Sequence, residues 1–299
     1  MGVLFMKKIM VVGSGNVGLA AAKALQNAPD MALLGFLRRK NEAVSEFPGV
    51  PTVTKLENFS EKPDGAILAI PSEKVEALEK ELLMKGICTV DAYDIHSNLV
   101  RMREELGKTA IRSQAVAVIG AGWDPGLDSS LRVLFKAAVP LGRSETVFGP
   151  GVSLGHTVAA KAVAGVRDAV SWTLPGKKGT QKRKVYIVPK RGEKRKDIEH
   201  AIRTSHYFEH DTTEICFQRK IDRWKKDTHR VRIRRWGCSA GEKRQKLSFS
   251  MDIHNPALTG ELLVAVMRAA FRKEPGCYFF PELSPVDLLP ETVDWERLV

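Results

Sequence analysis

The first part of the chain alternates short apolar runs with segments of helical periodicity. The apolar runs are typical of buried strands, whereas the segments between them repeat apolar residues every three or four positions. A regular succession of strand and helix predicts a parallel sheet with helices on both faces. The predicted strands span residues 8–12, 31–37, 66–70, 87–90 and 115–119.

One of the intervening segments carries a full set of helix signals. Its apolar stripe consists of Val75, Leu78 and Leu82. Ser72 stands where an N-cap belongs, and Gly86 stands where the helix should end. Glu76 and Lys80 have the i,i+4 spacing of an ion pair on one helix face. We therefore predict a helix between the third and fourth strands.

The pattern changes after Gly122, where glycine and proline punctuate the chain. Strand-like runs follow at residues 146–148, 171–174, 185–188 and 214–217. Leu247, Phe249 and Met251 alternate with serines, as expected for a strand buried on one face. Asn255 and Pro256 then predict the start of a helix over residues 257–272. These changes predict three segments, at residues 1–122, 123–255 and 256–299.

Composition narrows the class of protein. The chain has 299 residues, 43% of them hydrophobic, which is enough for one large or two ordinary globular domains. Its four cysteines form no CxxC pair, so the sequence predicts neither a metal site nor a disulfide framework and favours a reducing cytoplasm. Lys7 and Lys8 interrupt the apolar start of the chain, and we expect no signal peptide or membrane segment.

The net charge of +12 is concentrated in the middle of the chain. Residues 123–255 contain 28 Lys+Arg against 14 Asp+Glu by direct count. A basic stretch at residues 219–236 includes Trp224 and Trp236, which are candidate stacking platforms for a nucleic acid. No nucleic-acid motif accompanies this charge, so we favour a solvated basic face and regard a nucleic-acid partner as the weaker alternative.

A glycine-rich turn between the first strand and the first helix predicts a dinucleotide site. The turn reads Gly13-Ser14-Gly15-Asn16-Val17-Gly18. Glycines at these positions allow a tight turn, backbone approach to a pyrophosphate and close helix packing. Arg38 and Arg39 stand about 20 residues further on, where an acidic residue would otherwise hold a ribose hydroxyl. This arrangement favours NADP over NAD, and the alternative is a solvated basic turn.

Two acidic segments follow predicted strands, where open parallel sheets bind their ligands. Asp91 and Asp94 follow the fourth strand, and Asp124 follows the fifth. Carboxylates in this position can hold a substrate ammonium and accept its proton when an amine becomes an imine. The alternative for Asp91 and Asp124 is a structural role, in which they accept hydrogen bonds from backbone amides in turns.

Motifs along nearly the whole chain have the order and spacing of one enzyme family. They are Asp91-Ala92-Tyr93-Asp94-Ile95-His96, Ala121-Gly122-Trp123-Asp124-Pro125-Gly126, Phe148-Gly149-Pro150-Gly151 with Gly155-His156, Asn255-Pro256-Ala257-Leu258-Thr259, and Lys273-Glu274-Pro275-Gly276-Cys277-Tyr278. Together they resemble the meso-diaminopimelate D-dehydrogenases. The last two motifs resemble the shorter branch of that family, which has broader specificity.

The resemblance implies NADP-dependent oxidative deamination of a D-amino-acid centre, a Rossmann-type doubly wound sheet and a homodimer. It assigns residues 123–255 to a mixed α+β substrate-binding and dimerisation domain, and implies that residues 256–299 return to the dinucleotide-binding domain. Asp94 and Asp124 are the implied catalytic residues. The implied substrate-binding residues are Trp123, Phe148, Leu154, Gly155, Thr173, Arg183, His229 and Asn255. The cofactor-binding positions are Gly13, Gly15, Asn16, Val17, Gly18, Arg38, Arg39, Pro71, Ser72, Asp91 and Tyr93.

Several alternatives stay open at this point. Arg183 lies between Lys182 and Lys184, so a neighbour is an alternative cation, and Asn255 is also a helix cap. Bulky residues surround His229, and a displaced His229 would favour a D-amino acid other than diaminopimelate. His156 is interpreted as a structural or pocket-wall residue. The alternative enzyme is a dehydrogenase or imine reductase of another diamine or amino acid.

Overall fold

The computed structural model describes residues 6–176, 180–225 and 228–299, and the chain divides into two compact units. The first unit contains Met1–Ser130 with Pro256–Val299, and the second contains Leu131–Asn255. Asp227, one of the bulky residues around His229, lies outside the described residues. Among the helices in the described ranges, none is long and apolar enough to cross a lipid bilayer.

A seven-stranded parallel sheet forms the centre of the first unit. Its strands are β1 (Lys7–Val12), β2 (Met31–Leu37), β3 (Thr52–Val53), β4 (Gly65–Leu68), β5 (Cys88–Asp91), β6 (Val116–Ile119) and β14 (Gly276–Phe279). The strand order is β14-β6-β5-β4-β1-β2-β3. Every predicted strand of this sheet is confirmed, to within two residues at each end. The last strand, from the C-terminal segment, pairs with β6.

Helices cover both faces of this sheet, as the alternation of strand and helix predicts. They are α1 (Asn16–Gln26), α2 (Val75–Met84), α3 (Leu99–Arg112) and α7 (Asn255–Ala270), whereas α4 (Leu127–Ala138) lies mostly in the second unit. Ile9 and Val11 of β1 pack in the same cluster as Ala21 of α1 and Met267 of α7. The alternate residue Met10 packs in the cluster that contains Leu82 of α2 and Met102 of α3. The doubly wound α/β fold is thereby confirmed.

The predicted helix between β4 and β5 exists, but two of its predicted contacts are wrong. Ser72 lies in a separate 3-10 turn (Ser72–Lys74), and its hydroxyl bonds to Asp94 rather than to the helix end. Glu76 pairs with Arg101 of α3 at 2.6 Å. Ser72 and Glu76 both bond to residues outside this helix, and the periodicity of one helix cannot predict such partners. Gly86 does end the helix, in the left-handed conformation with φ +68°.

Two sheets and two short helices lie wholly within the described residues of the second unit. The four-stranded sheet has the order β11-β10-β9-β8, and the three-stranded sheet has the order β13-β12-β7. The strands are β7 (Leu141–Phe148), β8 (Gly151–Val152), β9 (Val166–Pro175), β10 (Gln181–Pro189), β11 (Thr212–Phe217), β12 (Thr228–Ser239) and β13 (Glu242–His254). Helices α5 (Leu154–Ala162) and α6 (Arg195–Arg203) complete the unit. The predicted alternation of Leu247, Phe249 and Met251 is confirmed, since the residues between them are exposed.

Candidate active site

The glycine-rich turn of the first unit has the geometry that a dinucleotide requires. A Cβ on Gly13, whose φ is +91°, would lie 2.6 Å from the carbonyl oxygen of Ala69. A Cβ on Gly18 would overlap the carbonyl oxygen of Gly13. By contrast, nothing lies within 4 Å of the Cβ direction of Gly15, the residue before α1. The first and third glycines thus serve packing, while the second leaves the backbone open to a pyrophosphate.

Two features beside this turn suit an anionic cofactor. Asn16 and Val17 are the first two residues of α1, so backbone N–H groups point out of the helix start, and no acidic residue lies in its first turn. Arg38 and Arg39 follow the end of β2. Arg38 donates to the carbonyl oxygen of Glu42 at 2.7 Å, whereas Arg39 is exposed. These groups fit a phosphorylated dinucleotide, because two arginines directly follow β2 and guanidinium groups bind phosphate.

The loop after β4 is joined to the first acidic loop by a hydrogen bond. Ser72 follows the exposed Pro71, and its Oγ donates to Oδ1 of Asp94 at 2.7 Å. The backbone N–H of Asp94 in turn donates to Ser72 Oγ at 3.2 Å. Ser72 is itself buried, so its hydroxyl cannot exchange this partner for bulk water without moving the loop. The arrangement orients the Asp94 carboxylate at the carboxyl edge of the sheet.

Asp91 lies beneath the site rather than in it. Its side chain is fully buried, and Oδ1 accepts backbone N–H bonds from Tyr93 at 2.7 Å and Gly120 at 2.9 Å. The carboxylate therefore ties the loop after β5 to the loop after β6. Burial raises the pKa of Asp91 to about 6, and burial together with the Asp91 charge raises the pKa of the buried Glu79. A cofactor contact at position 91 has to come from the backbone.

The second acidic loop lies next to the first. Asp124 Oδ1 is 3.8 Å from Nε2 of His96, which follows Asp94 by two residues. Trp123 is 6% exposed and Tyr93 is 3% exposed, so both rings are almost completely buried behind these loops. The phenol of Tyr93 accepts a hydrogen bond from Asn98. The structure thus brings the glycine turn, Ser72, Asp94 and Asp124 to the carboxyl ends of β1, β4, β5 and β6, where such sheets bind ligands.

The remaining predicted site residues belong to the second unit, where three of them are direct neighbours. Thr173 of β9 is the register partner of Gly151 on one side and of Arg183 on the other. Arg183 donates a hydrogen bond to Oγ1 of Thr173, and both side chains are buried. This contact identifies Arg183, rather than Lys182 or Lys184, as the cation that faces Thr173.

His229 lies close to this group. Its Cα is 2.5 Å from the point that a Cβ on Gly151 would occupy, and its ring packs edge-on against Phe148 at 6.5 Å. Burial, aided by the charge of Arg183, lowers the pKa of His229 to about 4. Nδ1 lies 3.0 Å from the carbonyl oxygen of Arg230. A carbonyl only accepts, so the neutral ring carries its proton on Nδ1.

Two helix starts supply the other predicted residues. Leu154 and Gly155 are the first residues of α5, directly after Ser153. Asn255, which is buried, follows β13, whose last residue His254 pairs with Thr228 next to His229. Helix α7 begins at Asn255, two residues before its predicted start. Asn255 is therefore the first helical residue rather than the residue before the helix.

Sequence reasoning missed one residue of this group. Asp211, just before β11, accepts a hydrogen bond from Nε of Arg183 at 2.6 Å and lies 3.4 Å from Nε2 of His156. The only sequence signal is an acid that directly precedes a strand in a basic region.

The basic stretch is largely engaged in contacts within the second unit. Arg234 pairs with Glu145, and the buried Arg235 donates to the carbonyl oxygen of Val139 at 2.5 Å. Trp224 stacks on Tyr186 with ring centroids 4.2 Å apart. These contacts favour the structural interpretation of residues 219–236 over a nucleic-acid surface.

Comparison with known proteins agrees with this geometry. Residues 7–91 match the family described as "Oxidoreductase family, NAD-binding Rossmann fold", and residues 122–184 match "Diaminopimelic acid dehydrogenase C-terminal domain". The chain is 41% identical to the meso-diaminopimelate D-dehydrogenase of Bacteroides fragilis, over 95% of this chain and 96% of that protein.

Two solved structures are similar over almost the whole chain. The DAP dehydrogenase of C. glutamicum in complex with DAP gives a TM-score of 0.84 at 27% identity, covering 96% of this chain and 97% of that one. An engineered D-amino acid dehydrogenase bound to NADP+ gives a TM-score of 0.86 at 25% identity, covering 97% and 98%.

Proposed function

The chain belongs to the meso-diaminopimelate D-dehydrogenase family, and from that premise we propose that it catalyses the reversible, NADP-dependent oxidative deamination of the D-centre of meso-2,6-diaminopimelate. Other D-amino acids are further substrates. The observation that carries the proposal is the pair of acidic loops, with Asp94 and Asp124, beside an open glycine turn at one edge of the sheet.

The cofactor fits the residues present in the first unit. The pyrophosphate lies against the open backbone of Gly15 and the start of α1 at Asn16, Val17 and Gly18. Arg38 and Arg39 hold the 2′-phosphate by charge-assisted hydrogen bonds. Pro71, Ser72, Asp91 and Tyr93 line the same edge, with Asp91 acting through its backbone. Bound NADP supplies the acceptor for the hydride that leaves the D-configured α-carbon.

Asp94 and Asp124 bind and deprotonate the amino group of the substrate. Their carboxylates bind its ammonium and accept protons as the C–N single bond becomes C=N. Water then adds to the imine carbon, the C–N bond breaks, and a keto acid and ammonia leave. Ser72 orients Asp94 throughout, and Trp123 forms a wall that limits access of bulk water.

The distal L-centre is bound by residues of the second unit. Arg183 and Thr173 hold its carboxylate, because a guanidinium beside a hydroxyl offers several donors in one plane. His229 is neutral above its lowered pKa and contributes a hydrogen bond without charge. Phe148, Leu154, Gly155 and Asn255 complete this group of residues for the distal centre.

We also infer the segment roles and the homodimer that the family resemblance implies, and the reducing cytoplasm that the cysteine pattern favours. Residues 1–122 bind the dinucleotide, residues 123–255 bind substrate and form the dimer, and residues 256–299 add to the first sheet. Large apolar side chains are exposed in the second unit, including Leu134 at 62% and Leu141 at 71%, as expected of a surface covered by a second copy. Light scattering on the purified chain tests the dimer.

The activity is tested by following NADPH absorbance with meso-diaminopimelate and NADP+. Asp94→Asn and Asp124→Asn each remove a carboxylate without changing its shape, and we expect each to lower kcat/KM on the order of 100-fold or more. Asp222→Asn is the matched control, because Asp222 is 78% exposed. Unchanged activity of both site variants would overturn the proposed mechanism.

A further inference from the structure

Asp211, which is not among the predicted site residues, contacts Arg183, the cation assigned to the distal carboxylate. Asp211 Oδ2 accepts a hydrogen bond from Nε of Arg183 at 2.6 Å, where the two side chains are 16% and 8% exposed. The opposite side of the guanidinium donates through Nη1 to Thr173. Arg183 is therefore held by Thr173 of β9 through Nη1 and by Asp211, the residue before β11, through Nε.

Sheet register explains how Asp211 reaches Arg183. Arg183 of β10 pairs in parallel with Thr213 of β11, and Asp211 stands two residues before Thr213. Asp211 directly precedes β11, so the pairing of β10 with β11 brings its carboxylate within hydrogen-bond distance of Arg183. Asp211 thus approaches Arg183 from the β11 side of β10, whereas Thr173 lies on the β9 side.

His156 holds Asp211 from the other side. Its Nε2 lies 3.4 Å from Asp211 Oδ2, and its Nδ1 lies 2.9 Å from Oγ of Ser153 at the start of α5. Tyr207 and Phe208 pack edge-on against the imidazole at 5.4 and 5.1 Å. Because the ring is fixed by these four neighbours, the carboxylate has little freedom to turn away from Arg183.

Charge at this group favours an ionised carboxylate. Burial opposes ionisation of Asp211, but hydrogen bonds from His156 and Arg183 hold its pKa below the usual value. An ionised Asp211 fixes the orientation of Arg183, whose long side chain otherwise samples many rotamers. Asp211 binds Nε and Thr173 binds Nη1, so the two partners contact different nitrogens of the guanidinium.

We propose that Asp211, supported by His156, is a positioning residue that orients Arg183 for the distal carboxylate of a diacid substrate. The inference rests on the proposed function. The hydrogen-bonded series Ser153, His156 and Asp211 then affects substrate preference. A D-amino acid that lacks a distal carboxylate does not bind more tightly when Arg183 is oriented. The chemistry at the D-centre does not depend on Asp211.

The test compares two substrates that differ in one group. D-Lysine has the carbon chain of meso-diaminopimelate without the distal carboxylate. We expect Asp211→Asn to raise KM for meso-diaminopimelate on the order of 10- to 100-fold, the size of effect that follows from misplacing a binding group by about 1 Å. The kcat on meso-diaminopimelate and the kcat/KM on D-lysine should stay within about threefold of the wild type.

Three further variants make the result specific. Asp211→Glu keeps the charge and should recover part of the lost affinity. His156→Asn keeps a polar atom near Ser153 but cannot reach Asp211, so it should give a smaller rise in KM; it also provides the readout if Asp211→Asn does not fold. Asp168→Asn is the control, because Asp168 pairs with Lys161 and Lys225 elsewhere in the same unit.

Each outcome decides the inference. A selective rise in KM for meso-diaminopimelate supports it. An unchanged KM in Asp211→Asn and His156→Asn, a fall in kcat alone, or an equal loss on both substrates overturns it while leaving the proposed function intact. A wild-type chain that does not oxidise meso-diaminopimelate contradicts the proposed function and the inference together.

Discussion

The hydroxyl of Ser72 donates a 2.7 Å hydrogen bond to the carboxylate of Asp94, and the backbone N–H of Asp94 returns one at 3.2 Å. The two residues belong to loops that follow neighbouring strands, β4 and β5, of the parallel sheet. This reciprocal pair fixes the direction of one of the two carboxylates to which we assign the chemistry.

Removing the hydroxyl should therefore impair catalysis more than folding. We expect Ser72→Ala to lower kcat/KM on meso-diaminopimelate about 10-fold, since a hydrogen bond to a charged group contributes about 1.5–3 kcal/mol. Steady-state kinetics beside a thermal melt check this. Ser45→Ala is the control, because Ser45 is exposed and bonds only its neighbour Glu46. Full activity of Ser72→Ala would show that Asp94 needs no such orientation.

The glycine turn allows two substitutions with opposite expected effects. Gly15→Ala meets no atom within 4 Å and has a negative φ of −75°, so the fold should keep its melting temperature while NADPH affinity falls at least about 10-fold. Gly18→Ala overlaps the carbonyl of Gly13 and should lower stability by about 1–3 kcal/mol. NADPH fluorescence titration and thermal melts measure the two properties. Normal NADPH binding by Gly15→Ala would contradict the assigned role of this turn.

Cofactor preference should depend on the cations after β2. We expect Arg39→Ser to weaken NADPH binding about 10- to 100-fold and to change NADH binding by no more than about threefold, because only NADPH carries the 2′-phosphate. Titrations with both cofactors measure this. An equal loss for NADPH and NADH would indicate that Arg39 does not contact the phosphate.

The fold could be predicted from the sequence more completely than the site. Strand β2 was placed at Met31–Leu37 by its apolar run alone, because a strand buried on both faces is nearly all apolar. Ser72 was interpreted wrongly as a helix cap, since its true partner Asp94 is 22 residues away. Asp211 was missed altogether, because only the parallel pairing of β10 with β11 brings it to Arg183.

His229 should make stability depend on pH in a defined direction. Its pKa is lowered from 6.5 to about 4 in the folded state, so the unfolded chain binds this proton more readily. The contribution of His229 to the free energy of unfolding is therefore complete above pH 6.5. It falls by about 3 kcal/mol as the pH drops toward 4. Urea unfolding at several pH values should show that His229→Gln removes this part of the decline.

The control for that experiment is His210→Gln, because the His210 side chain is 89% exposed. The same pH dependence in wild type and His229→Gln would mean that folding does not lower the pKa of His229.

The stereochemistry of the substrate decides whether the chain deaminates a D-centre. Purified wild-type chain is given NADP+ and either meso- or LL-diaminopimelate, and NADPH and ammonia are measured together. We expect one equivalent of each product from the meso compound, which has a D-centre, and none from the LL compound. Equal turnover of the LL compound, or NADPH formation without ammonia, would contradict deamination at a D-centre.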